Sequence, residues 1–144
     1  MQKWHESINN NPKLLCYSMY KTTLCYEKYL DVLDIRRFRY VYTNFRTSCH
    51  NLEIENGRYN NVQRQNRKCK LCTTNVVEDE FHFLLCCEFY SDIRNKYIPY
   101  KFYQNVNLHK FRLLMSTQHE DTIKSVACYL FYAFKKRQEF INAN

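Results

Sequence analysis

Cys69-Lys70-Leu71-Cys72, with His82 after nine intervening residues and the pair Cys86-Cys87 shortly beyond it, constrains this chain more than any other feature. A C-x2-C pair lets one tight turn aim two thiolates at a single ion, and a His followed by a Cys can converge on it from one helical turn. Four sulfur and nitrogen ligands suit tetrahedral Zn²⁺, and no oxygen-rich cluster competes for a hard cation. Cys86 lies four residues after His82 and would share a helix face with it. Cys87 lies five after and reaches the ion only if the helix ends or tightens there. Spacing leaves both open as the fourth ligand.

Four ligands fill the shell, so the zinc is expected to be structural. A deaminase would need a Glu beside the ligand His and a later Pro-Cys-x-x-Cys, and neither is present. The Tyr-x-Asp-Asp carboxylates of a polymerase, a Gly-rich phosphate loop and a Gly-x-Ser-x-Gly elbow are also missing, so the chain is not expected to be an enzyme. Met1-Gln2-Lys3-Trp4-His5-Glu6 has no apolar stretch behind it, and no apolar run is long enough for a bilayer. The expected setting is therefore reducing and intracellular, nucleus or cytoplasm. There, eight cysteines imply metal ligands and buried thiols rather than disulfides. Cys16, Cys25, Cys49 and Cys128 fall in helical patterns and read as buried thiols.

The rest of the chain reads as helix. Asn11 caps and Pro12 opens a first helix with Leu15, Met19, Tyr26 and Leu30 on one face. Ile35, Phe38, Tyr42, Phe45 and Cys49 form the apolar stripe of a second. Asn56-Gly57 marks a turn and 58–67 a polar loop. Residues 68–77 fit a short β-hairpin and 80–87 a short helix opened by Glu78, Asp79 and Glu80. Phe89, Ile93 and Tyr97 continue a helical pattern to Pro99. Leu108, Phe111, Leu114 and Met115 mark another helix. Ile123, Val126, Ala127, Leu130, Phe131 and Phe134 mark the last, with Lys135, Lys136 and Arg137 near its end. The expectation is one mainly α domain over 1–144, a small helical domain carrying a zinc-binding β-hairpin/helix insert at about 67–90.

From Thr43 to Tyr97 the sequence resembles the zinc-binding region downstream of the reverse transcriptase domain in animal non-long-terminal-repeat retrotransposons. The residues that carry the resemblance are Phe45-Arg46, His50-Asn51-Leu52, Ile54-Glu55, Gly57-Arg58-Tyr59, Arg67, the C-x2-C pair, the run from Val77 to Leu85, Tyr90 and Arg94. In that family the last ligand follows the His as H-x4-C and precedes a Pro. The resemblance thus implies Cys87 as fourth ligand with Cys69, Cys72 and His82, although Glu88 stands where the Pro would be. It also implies a role in handling template RNA or target DNA.

A net charge of +8 agrees with a polyanionic partner. Nine Lys/Arg residues lie between Arg36 and Lys70, against only Glu53 and Glu55. Arg36, Arg39 and Arg46, with His50, follow helical spacing; Arg58, Arg64, Arg67, Lys68 and Lys70 lead into the metal segment. Such a patch can neutralise phosphates without reading sequence. Tyr40 and Tyr59 are placed to stack on unpaired bases, whereas Tyr42 belongs to the apolar stripe. The expected function is a zinc-dependent, non-specific RNA- or DNA-binding module derived from a retrotransposon polyprotein. A zinc-shaped protein-interaction domain and a non-functional remnant of an element are the competing readings.

Overall fold

In the computed structural model, which describes residues 1–144, nine α-helices and several short 3₁₀ turns are organised around the last helix. The helices are α1 (Gln2–Asn9), α2 (Leu15–Tyr20), α3 (Tyr29–Val32), α4 (Arg36–Arg46), α5 (Glu53–Tyr59), α6 (Ser91–Tyr97), α7 (Tyr100–Tyr103), α8 (Leu108–Met115) and α9 (Glu120–Ala143). The apolar stripe of α9 is buried at Ile123, Val126, Ala127, Leu130 and Ala133. Against it pack α4, α6 and α3, while α8 covers α2 and α7. One cluster of 24 buried residues runs from Tyr20 to Ala133 and takes in Cys69 and Cys87. No helix is long and apolar enough to cross a membrane.

The mainly helical class agrees with the sequence, but several boundaries differ. The helix expected through Leu30 stops at Tyr20, and the chain runs irregularly to α3. Lys21 folds that segment back by donating Nζ to the Cys25 carbonyl at 3.0 Å and pairing with Glu27 at 2.9 Å. Cys25 is therefore exposed rather than a helical buried thiol, and Cys49, beyond the end of α4, is exposed as well. The stripe on α4 holds at Tyr42 and Phe45 but ends at Arg46, because Ser48 turns left-handed at φ 58°. Asn61, Asn75 and Asn105 make the other left-handed turns, the conformation Asn tolerates better than most residues.

Asn56-Gly57 is not a turn. Both residues lie inside α5, and the glycine is required by close approach rather than by its own backbone. A Cβ there would stand 2.3 Å from Arg67 Cγ and 2.7 Å from Cδ. Arg67 cannot swing aside freely, because its Nε donates to the Val62 carbonyl at 2.9 Å and its Nη1 to the Ile54 carbonyl at 3.0 Å. Gly57→Ala should therefore lower stability by about 1–3 kcal/mol through overpacking, outweighing the roughly 1 kcal/mol helix-propensity gain. Urea melts of Gly57→Ala and of Gly57→Ala/Arg67→Ala check this. If the single variant is as stable as the parent, the close approach does not matter.

The expected β-hairpin is also absent. Between 68 and 77 there is no strand, only one antiparallel bridge joining Lys68 and Val77. Cys69 N–H donates to the Val76 carbonyl and Glu78 N–H to the Arg67 carbonyl, both at 2.9 Å, so the two limbs meet at their bases alone. Beyond that point the backbone curls around the cysteines. The Leu71 amide is spent on the Cys69 sulfur instead of on a partner strand.

Candidate metal centre

Two pieces of chain build the site. The curled segment carries Cys69 and Cys72. The second piece carries His82 and Cys87 on a turn whose hydrogen bond is not α-helical. Residues His82–Cys86 form a π-turn, closed by the Cys87 N–H donating to the His82 carbonyl at 2.8 Å. This i→i+5 closure inserts an extra residue into the turn, a feature often found at functional sites. Residue i+5 then comes back over residue i, where an α-helix would bring i+4. One ligand atom from each of Cys69, Cys72, His82 and Cys87 lies within 4.8 Å of all the others. Cys86 is outside the group. It is half-buried against the core, and burial pushes its thiol up to about 11.

The four atoms can hold a metal ion. Cys69 Sγ and Cys87 Sγ are 3.9 Å apart, too far for a disulfide, and Cys72 Sγ is 3.4 Å from His82 Nε2. The hydrogen bond between Cys87 and Cys69 lowers the Cys69 thiol and raises that of Cys87. One proton is thus shared by two sulfurs, and a cation between them would displace it. The backbone favours thiolates at both places: the Leu71 amide points at Cys69 and the Phe89 amide at Cys87, each lowering its thiol.

A π-turn leaves carbonyls without helical partners, and here buried side chains take them. Arg94, 4% exposed, donates Nε to the Leu84 carbonyl at 2.9 Å and Nη2 to the Cys87 carbonyl at 2.8 Å. Tyr129 Oη donates to the Phe83 carbonyl at 2.5 Å. Phe83 itself packs on Phe134 and Tyr90, with ring centroids 4.5 and 4.7 Å apart. The turn is thereby locked into the main core.

Of the three acids expected to open the helix at His82, only Asp79 caps it, accepting the His82 N–H at 2.8 Å. Glu80 is buried with His50, Oε1 to Nε2 2.9 Å, and accepts the Ser48 hydroxyl at 3.2 Å. Burial alone would raise the Glu80 carboxyl, but the His50 contact pulls it below its ordinary value. Glu78 is buried against Arg137 on α9.

The basic residues singled out in the sequence are not one surface. Arg46 is buried within a cage of tyrosines, its guanidinium 4.8 Å from the Tyr20 ring centre and 5.5 Å from that of Tyr29. It donates to the Met115 carbonyl at 2.5 Å and pairs with Glu27 at 3.3 Å. It lies four residues after Tyr42 on the buried side of α4 and cannot face phosphate. His50 is likewise committed to Glu80. Arg67 is committed to the Val62 and Ile54 carbonyls, and Arg58 pairs with Glu55 at 2.9 Å. Lys68 donates to the Asn75 carbonyl. Lys70 pairs with Glu53 at 3.3 Å while remaining largely exposed. Arg36 is exposed and Arg39 half-buried. Tyr40 and Tyr59 are exposed, and Tyr42 is buried.

Comparison with protein-family models, with curated proteins and with solved structures returns no match to this chain.

Proposed function

We propose that this chain is a zinc-stabilised nucleic-acid-binding module in which Cys69, Cys72, His82 and Cys87 hold one Zn²⁺. The convergence of the four ligand atoms carries the reading. A tetrahedral zinc with sulfur at about 2.3 Å and nitrogen at about 2.0–2.1 Å has an S–S edge of about 3.8 Å and an S–N edge of about 3.6 Å. The corresponding separations here are 3.9 and 3.4 Å. A Cys₃His shell leaves no position for a substrate, which supports a structural ion and a binding protein rather than a catalyst. Three thiolates and an imidazole also favour zinc over oxygen-seeking cations.

The nucleic-acid half of the reading rests on the net charge of +8 and on the exposed cations. The resemblance to the zinc-binding region of retrotransposon polyproteins supports an origin there and a role in holding RNA or DNA. Two measurements test the reading. Protein purified under reducing conditions should contain about one zinc per chain by elemental analysis, and zinc-free protein would refute the metal site. Unrelated single-stranded RNA and DNA should bind alike. With about four phosphate contacts, affinity should fall about fifty-fold between about 50 and 200 mM salt. A wild-type chain that binds no strand at low salt would instead favour a protein-docking module.

A further inference from the structure

Between α4 and α9 runs an open groove of about 720 Å³. One wall is Arg36, Arg37, Tyr40 and Val41, spaced i, i+1, i+4 and i+5 along α4. The other is Phe131, Phe134, Lys135 and Gln138, at i, i+3, i+4 and i+7 along α9. The groove continues past Asn44 toward Cys49, sharing Tyr40, Val41, Asn51 and Phe134 with its first section. No carboxylate lines either section. None of Arg36, Arg37 and Lys135 makes an ion pair, although most other basic side chains near the metal segment are committed. Arg37 is instead held by rings, its guanidinium 5.1 Å from the Phe38 centroid and 5.6 Å from that of Phe131. That contact fixes the head group and leaves its outer edge without an anion. Tyr40 stands beside these cations, 68% exposed.

We propose that this groove is where the nucleic acid of the preceding section binds, and that its occupant is a single strand. The inference rests on that reading and gives it a location. Three unpaired cations around an aromatic floor, without an opposing acid, are complementary to a phosphate backbone that carries bases. Tyr40 takes a base on its ring face. Such stacking needs an unpaired base, because in a duplex the faces already stack on one another. Phosphate and base face are common to RNA and DNA, so the two sugars bind alike.

Fluorescence anisotropy on the full zinc-loaded chain tests this, with labelled poly-dT and poly-U of about twelve nucleotides and a duplex of equal length. The expected result is tighter binding of both strands than of the duplex. Tyr40→Ala weakens strand binding about fivefold or more and leaves the salt slope unchanged. Arg36→Ala/Arg37→Ala lowers the slope of log affinity against log salt by about 1.4, and Lys135→Ala by about 0.7. All these positions are exposed, and unchanged zinc content and circular dichroism confirm that the variants fold. Lys3→Ala/Lys101→Ala, outside the groove, matches the double variant in charge and binds as wild type. If the wild type binds strands and the groove variants bind equally well, the location is wrong while the function stands. If the wild type binds no strand at low salt, the function itself fails. A duplex bound as tightly as the strands overturns the proposal. So does poly-glutamate competing as well as poly-U, since the groove would then be one for acidic peptides.

Discussion

If Cys69, Cys72, His82 and Cys87 hold zinc as proposed, Cys87→Ser should give it up to a chelator at concentrations that leave Cys86→Ser loaded. The expectation follows from the turn. The hydrogen bond from Cys87 N–H to the His82 carbonyl makes the residue five after His82 return to the site, and Cys86 is left packing against the core. A ligand lost from a structural zinc site forfeits a large share of about 10–16 kcal/mol. Changing one half-buried thiol to a hydroxyl costs about 1 kcal/mol. Rescue by the adjacent cysteine is limited, because bringing Cys86 inward requires the turn to revert to α-helical pairing. The Leu84 and Cys87 carbonyls would then move off Arg94, which holds both. Competition with a chelator separates the variants better than zinc content, since a strained substitute site would still load when zinc is abundant. If Cys86→Ser releases zinc at the lower chelator concentration, the π-turn assignment of the fourth ligand is wrong.

The same turn shows where sequence reading stops. The metal-ligating residue types and the spacing of three of them were legible, because C-x2-C and a downstream His need no tertiary information. The spacing left Cys86 and Cys87 open, because that choice depends on how the helix is closed; only the resemblance pointed to Cys87, the cysteine found beside the other three ligands. That closure is held by Arg94, on the next helix, and by Tyr129, far along the chain on α9. The faces of α8 and α9 were legible for the ordinary reason that buried apolar residues recur at helical spacing. Charge alone predicts a surface position for Arg46, and the structure buries it. Arg46 follows Tyr42 by four residues, and Arg137 follows Leu130 by seven, so each continues a buried stripe. A cation in register with a stripe is a signal for a buried partner, and both have one. The β-hairpin is absent for a different cause: the chain curls around the cysteines, with the Leu71 amide toward the Cys69 sulfur, and the two limbs pair only at their bases.

Glu78→Ala should be among the most destabilising single changes outside the ligands. Its carboxylate takes Arg137 in a two-pronged pair, Nε to Oε1 and Nη2 to Oε2 both at 2.9 Å. The side chains are 1% and 4% exposed. The same carboxylate accepts the Glu53 N–H at 2.7 Å and so caps α5. Its backbone joins the Arg67 carbonyl to the Ile54 N–H, which places it where the metal segment, α5 and α9 meet. Removing it strands a buried guanidinium, whose only other acid is Glu53 at 3.9 Å, at a cost of about 3–5 kcal/mol. Replacing both partners with apolar residues of similar length avoids that stranded charge, and such swaps are often neutral or better. Glu78→Met/Arg137→Met should therefore recover most of the loss and keep only the deficit of the missing cap, about 1 kcal/mol. Urea melts at saturating zinc compare the three proteins with the metal site held constant. A Glu78→Ala chain within about 1 kcal/mol of the parent would show that the pair does not clamp the fold. A double variant no better than the single one would show that the loss lies in the cap and the packing, and not in the unpaired arginine.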